Sequence, residues 1–336
     1  MIIAFTYNVR HIYPDPNDLK SHKEADFDDP VTITSMIKHL KSAGYKVLPI
    51  EADEKAYLKL YKYRKKIDLV FNYSLGLNGR DRYCHIPAMC EMLEIPYTGS
   101  SPLTQATTMN KGRAKEILQA NNVPTLPFQI FTSQDDKLKS TIDFPLIVKP
   151  VAQGSSAGIT NKSVVNNREE LDRQVAFILK TFNEPALVEP FLDGREFSVP
   201  MLGNPPKILP IIESDHSVLP KEYLPIDSLE VKWHFEETHE KNNLICPAKI
   251  DEQLKQKIER ICYQTWEAQK IQDSCRIDIR CDSSGNPYVL EINSPAGMIP
   301  PDISKTSYFP FSAGVAGLSY EELLKEIISI AFKRYN

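Results

Sequence analysis

Two apolar runs near the C-terminal end of the chain constrain its fold more than any other feature. In "SCRIDIRCD" (274–282) Arg276, Asp278 and Arg280 alternate with Ile277, Ile279 and Cys281. "DSSGNP" follows as a turn cluster, and "YVLEIN" (288–293) is the apolar run that returns. Period-two alternation on both sides of a turn predicts an antiparallel β-hairpin. Glu291 and Asn293 then share one face of their strand, and Asp278 lies across from them. Acids buried among isoleucines cost several kcal/mol unless a partner is supplied. Two carboxylates and an amide are all oxygen donors, which suits a hard cation such as Mg²⁺. That ion usually takes phosphate oxygens for its remaining ligands, so a nucleotide is its natural companion. The alternative is a solvated polar edge with ion pairs to Arg276 or Arg280.

A length of 336 residues corresponds to two or three domains at roughly 100–200 residues each. The N-terminal third alternates strands and helices. "IIAFTY" reads as a strand, and "DDPVTITSMIKHLKSAG" places Ile33, Met36, Ile37 and Leu40 at helical spacing, opened by Asp29 and Pro30 and closed by Gly44. The strands "YKVLPI" and "IDLVFNY", a helix at "IPAMCEML" and a short "IPYTGS" follow. This β-α-β order predicts a doubly wound parallel sheet over residues 1–100, an α/β arrangement. Residues 101–185 carry the helix "MNKGRAKEILQANN", the strands "PFQIF" and "FPLIVKP", the loop "VAQGSSAG" and the helix "REELDRQVAFILKTF". Residues 186–336 are richer in short strands, an α+β pattern, with long helices at "DEQLKQKIERICYQTWEAQKI" and "SYEELLKEIISIAF". Segment 215–245 is charged and weakly periodic and reads as a long loop with local structure.

Composition excludes several classes of function. A net charge of −4 without a long basic run argues against nucleic acid as a partner. No apolar run reaches the roughly 18 residues of a membrane span. The start "MIIAF" reads as a first strand rather than a signal peptide. Six scattered cysteines without metal-ligand spacing read as reduced thiols of a cytoplasmic protein.

Three further stretches carry candidate chemistry. In "FPLIVKPVAQGSSAG" (144–158) Lys149 ends an apolar strand and the loop offers Gly154, Ser155, Ser156 and Gly158. Small residues let backbone N–H groups approach phosphate oxygens, and a strand-end lysine adds positive charge; a flexible linker would look the same. Lys111 in "MNKGRAKEIL" lies in a helix, where most lysines are solvated. "ALVEPFLDGREFSV" (186–199) sets Glu189 at a strand end and Glu196 inside the next strand. The connector Pro190-Phe191-Leu192 could present backbone to a purine and a carboxylate to ribose, but on the residues alone ordinary polar strand ends are the better reading. His85 and the Arg80-Asp81-Arg82 cluster read as ion pairs and a core histidine. Neither GxxxxGK[ST] nor GxGxxG is present, so any nucleotide binds by another scheme.

Taken in order, "IPYTGS", "MNKGRAKEIL", "FPLIVKPVAQGSSAGI", "VEPFLDGREFSV", "CRIDIRCD" and "YVLEINSPAGM" resemble the ATP-grasp superfamily and, within it, the D-alanine–D-alanine ligase family. The resemblance covers roughly residues 95–300. It implies an ATP-grasp fold behind an N-terminal doubly wound domain, split near residues 100 and 185. It also implies that Lys111 and Lys149 contact the phosphates of ATP under the 153–158 loop with Gly154, Ser155 and Ser156. Glu189, with Pro190, Phe191 and Leu192, would hold adenine, and Glu196 the ribose. Asp278, Glu291 and Asn293 would bind two Mg²⁺ ions, with Mn²⁺ as a substitute. Lys232 aligns with a lysine that reaches the γ-phosphate, Arg276 with the group that stabilises a tetrahedral oxyanion beside Gly297, and Ser155 with a serine near the first substrate. The partners implied are a small-molecule carboxylate, an amine and a second copy of the chain in a homodimer.

Departures from the family pattern fall on the substrate side. "TYNVRHIYPDP" replaces a glycine-rich segment with a glutamate, Trp233 stands where tyrosine is usual, and "IPPDISK", with Asp302, replaces a serine-bearing segment. The resulting expectation is an ATP-dependent carboxylate–amine ligase acting through an acyl phosphate on a pair other than two D-alanines, with Arg276, Gly297, Trp233 and Asp302 near the substrates. Its rivals are a small-molecule kinase on the same fold, a D-alanine–D-alanine ligase proper, and a non-catalytic ATP-binding module.

Overall fold

The computed structural model describes residues 1–13, 21, 24–228, 231 and 243–336. Strand β1 (Ile2–Tyr7) is buried along its middle because helices cover both faces of the sheet that it centres. Helix α1 (Pro30–Ser42) starts on a proline, whose fixed φ and missing N–H suit a first helical position. Strand β2 (Lys46–Glu51), helix α2 (Ala56–Tyr63), strand β3 (Leu69–Asn72) and helix α3 (His85–Met92) follow. The strands run parallel in the order β2-β1-β3, the doubly wound pattern that the sequence predicts.

The predicted helix at 109–122 forms over Lys111–Ala120, and a second helix that the sequence reading did not give precedes it. Helix α4 (Pro102–Met109) is capped by Ser101, and helix α5 (Lys111–Ala120) is capped by Asn110, whose side chain accepts from the Arg113 N–H. Asn110 adopts an extended conformation and breaks the run, which leaves Lys111 at the first position of α5. Strands β4 (Gln129–Phe131), β5 (Leu146–Pro150) and β6 (Val164–Val165), helix α6 (Arg168–Phe182) and strand β7 (Ala186–Pro190) build an antiparallel sheet in the order β4-β7-β5-β6. Helix α6 covers one face through Leu171, Val175 and Ile178.

The third sheet contains β8 (Glu196–Gly203), β9 (Pro206–Ile208), β10 (Ile212–Ser214) and β11 (Leu244–Ile245). After α7 (Glu252–Gln269), strands β12 (Ser274–Cys281) and β13 (Pro287–Asn293) complete it in the order β11-β10-β8-β12-β13, with β9 beside β8. Ile258, Ile261, Cys262 and Trp266 of α7 pack on Phe197, Val199, Ile277, Ile279 and Val289. That burial turns the charged residues of β12 to the opposite face. Helices α8 (Tyr308–Val315) and α9 (Tyr320–Arg334) close the chain, and Leu323, Leu324, Ile327 and Ile328 of α9 pack with Ile3, Phe5 and Phe71 of the first sheet. All six cysteines are free thiols.

The connector from β7 to β8 is clamped against the end of β12. Cys281 N–H donates to the Arg195 carbonyl at 2.9 Å, and a Cβ built on Gly194 would stand 2.3 Å from the Cys281 carbonyl oxygen. Gly194→Ala must therefore push the connector outward, at a cost of about 1–3 kcal/mol. Thermal denaturation should show a lowered Tm; an unchanged Tm would mean that the connector is not held there.

Candidate active site

The hairpin register brings the predicted oxygen donors together. Asp278 pairs with Glu291 and Arg276 with Asn293, and a bulge separates Asp278 from Ile279. On its other side Asp278 faces Ser198, and Arg280 faces Glu196, both on β8. Asp278 accepts from Ser198 Oγ at 2.6 Å, from Arg276 Nε and a terminal Arg276 nitrogen at 2.9 Å each, and from Asn293 Nδ2 at 2.8 Å. Glu291 Oε1 lies 2.7 Å from Lys111 Nζ, which also donates to the Gln153 carbonyl at 2.6 Å. Lys111 is therefore buried and paired, unlike the solvated lysine that its helical position suggests. Burial disfavours the Arg276 cation, but Asp278 outweighs it and raises the guanidinium pKa further. The Arg276 guanidinium also lies 4.9 Å from the Tyr308 ring centroid, a cation–π arrangement.

These groups face a cleft of about 430 Å³ that extends to all three sheets. Lys111, Lys149, Gly154, Ser155, Ser156, Glu189, Pro190, Phe191, Leu192, Glu196, Arg276, Asp278, Glu291, Asn293 and Gly297 all line it. Ser155 and Ser156 adopt positive φ, which curls the 153–158 loop over the cleft, and Ser156 Oγ donates to the Asp227 carbonyl at 2.6 Å. Glu196 is held by Arg280 at 2.7 Å. Burial raises its pKa, with Asp227 adding to the effect and Arg280 and His216 opposing it.

The structure revises two sequence expectations. The Glu189 carboxylate does not open toward a purine. It is buried between Lys149 Nζ at 2.9 Å and Lys115 Nζ at 2.7 Å, leaving the 190–192 connector as the exposed part of that wall. Asp302 is not among the cleft-lining residues. Its carboxylate accepts from Ser35 Oγ at 2.9 Å and meets His39 Nε2 at 3.1 Å, because the α1 surface supplies polar partners there. Lys232 and Trp233 lie outside the described residues.

Sequence reasoning missed several residues in the cleft wall or directly behind it. Lys115 is one helical turn past Lys111, a spacing that puts both on one face of α5. Asp227 accepts from Tyr308 at 2.9 Å and meets His216 at 3.0 Å, a meeting of distant segments that no local pattern signals. The wall from the first sheet includes Arg10, Asp26, Asp28 and Tyr73. Arg10 is spent on bracing residues 24–29, through the Glu24, Ala25 and Phe27 carbonyls and Asp29. Arg82 pairs with Asp26.

Oxygen donors of the kind that Mg²⁺ prefers are thus concentrated at Asp278, Glu291 and Asn293, and both carboxylates already attract cationic side chains. The donor set fits a hard divalent cation. Glu196, His216 and Asp227 also approach one another closely, but Arg280 is paired to Glu196 there.

Burial pushes the Asp28 carboxyl up to about 7, against the opposing pull of the Tyr73 hydroxyl and Arg10. The folded chain then keeps a proton that the unfolded chain releases near 3.8, so this group's contribution to stability is full below pH 4 and is lost as pH rises through about 7. Asp28→Asn should raise Tm by a few degrees at pH 8 and leave it unchanged at pH 4. A Tm difference that does not depend on pH would refute the raised value.

Known proteins share this chain's pattern. A family model described as the D-ala D-ala ligase C-terminus matches residues 117–329. The chain is 34% identical, over 90% of its length and 87% of the relative, to an uncharacterized protein of Sinorhizobium fredii. It is 30% identical to the D-alanine–D-alanine ligase of Pelotomaculum thermopropionicum, over 80% of this chain and 81% of that protein. The crystal structure of the Bacillus anthracis D-alanine–D-alanine ligase complexed with ATP superposes with a TM-score of 0.74 at 23% identity, covering all of both chains. That likeness establishes the ATP-grasp fold.

Proposed function

This chain belongs to the D-alanine–D-alanine ligase family of ATP-grasp ligases, and we propose that it joins a small-molecule carboxylate to an amine through an acyl phosphate. The observation that carries the reading is the convergence on one cleft end of Asp278, Glu291 and Asn293 with Lys111 and Arg276. ATP is the phosphoryl donor. The substrate carboxylate attacks the γ-phosphorus and ADP leaves; the amine then attacks the acyl carbon and phosphate leaves, giving the amide.

The side chains have defined tasks in this scheme. Lys111 and Lys149 offset phosphate charge beneath the 153–158 loop, where Ser155 faces the first substrate. Pro190, Phe191 and Leu192 contact adenine and Glu196 the ribose. Mg²⁺, held by Asp278, Glu291 and Asn293, would neutralise charge on the transferring group. Arg276, oriented by Asp278 and Tyr308 near Gly297, stabilises the oxyanion of the tetrahedral intermediate, which favours a ligase over a kinase. Catalysis here is mostly positioning and charge neutralisation.

Two features support substrates other than two D-alanines. The segment after β1 offers Arg10, already committed to bracing its neighbours, in place of a glutamate. The segment after Met298 carries Asp302 turned toward α1.

The purified protein with Mg-ATP should release phosphate and ADP in equal amounts when offered the right amino acids or small carboxylates, with an amide product by mass. A phosphorylated product without phosphate release would replace this reading with the kinase. Asp278→Asn or Glu291→Gln should lower kcat by about 10²–10³ with the fold intact by circular dichroism. Full activity in either variant would remove these residues from the metal site.

A further inference from the structure

Lys115 is a buried cation that the proposed chemistry does not use. It sits on α5, 2% exposed and absent from the cleft lining, one turn beyond Lys111. Its Nζ donates to Thr125 Oγ1 at 3.0 Å, and Thr125 in turn donates to the Val289 carbonyl of β13 at 3.1 Å. That chain of contacts ties Lys115 to β13 as well as to Glu189. Glu189 on β7 therefore has one oxygen on Lys115 and the other on Lys149, which does line the cleft.

The charges of this cluster do not cancel. Two ammonium groups share one carboxylate, and among the described residues neither lysine has a second acidic partner within ion-pair distance. Burial would push Glu189 up, but Lys115 and Lys149 outweigh it and bring the carboxyl down to about 2, so the acid stays ionised. Burial also opposes both lysine cations; Glu189 more than compensates at Lys149, whereas at Lys115 burial prevails and lowers the pKa. At ion-pair range the three groups carry one surplus positive charge, which Glu291 and Glu196 offset only from farther away, and Lys149 is where that surplus reaches the cleft.

We propose that Lys115 is a positioning residue for Lys149: by taking up one oxygen of Glu189 it leaves Lys149 anchored by the other, yet still carrying net positive charge toward the phosphates of the nucleotide. The inference rests on the ligase reading above, in which Lys149 contacts phosphate. With Lys115 removed, Glu189 and Lys149 become a closed neutral pair. With both Lys115 and Glu189 neutralised, the charge on Lys149 returns.

Calorimetric titration of Mg-ATP and of adenosine into the wild type, Lys115→Met and the double variant Lys115→Met/Glu189→Gln separates charge from packing. The single change should weaken Mg-ATP roughly tenfold or more, the scale of one charge-assisted contact, while adenosine shifts by less than about twofold. The double variant should bind Mg-ATP more tightly than the single one. Equal losses for Mg-ATP and adenosine, or a double variant no better than the single, would overturn the proposal. Should Lys115→Met fail to fold, the double variant decides alone: affinity within a few-fold of wild type supports it, and a tenfold loss or more defeats it. A wild-type protein that binds no Mg-ATP would overturn the ligase reading itself.

Discussion

Burial of charge on the shared face of β8, β12 and β13 is the constraint on which the rest of the site depends. Helix α7 claims the other face of that sheet with isoleucines and Trp266, so Glu196, Arg276, Asp278, Arg280, Glu291 and Asn293 are gathered in the cleft. Each charged group there has an opposite charge within reach. Breaking the buried Glu196–Arg280 pair costs about 3–5 kcal/mol, and the partly exposed pairs beside it less, so the polar network tolerates few rearrangements. The same network orients Arg276 and Lys111, and structural cost and functional geometry are one arrangement.

The second wall follows different rules. The sheet of β4 to β7 is covered by α6 on one face, and its cleft face carries Lys149 and Glu189. The ionic cluster of Glu189 with Lys115 and Lys149 ties α5 to that sheet, while Thr125 ties it to β13. Helix α5 is thus the strut between the two sheets, and it places Lys111 on Glu291 at one end of the same cleft. Ser156 meeting Asp227 joins the 153–158 loop to the segment after His216, so two loops far apart in sequence meet over the cleft.

Local patterns made much of this readable in advance. The period-two alternation of "SCRIDIRCD" and "YVLEIN" foretold both the hairpin and the opposition of Asp278 to Glu291, because register follows from alternation and turn position. The β-α-β order foretold the parallel first sheet. Other features were hidden. Helix α4 went unread, and only the Asn110 cap separates it from the helix that was read. Lys111 and Lys115 look like solvated lysines because nothing local marks the acids that bury them. Asp302 looked like a substrate contact by position, and only Ser35 and His39, more than 260 residues earlier, explain why it turns away.

By itself the sequence determined the elements, the β12–β13 register and the family, since each is written in spacings of a few residues or in the order of motifs along the chain. Only the tertiary structure decided which charges meet. The pairing of Lys111 with Glu291, the division of Glu189 between two lysines and the bracing of residues 24–29 by Arg10 all join segments remote in sequence. A side chain's charge is local information. The cost of burying that charge, and so the partner that it must find, depends on what the folded chain packs around it.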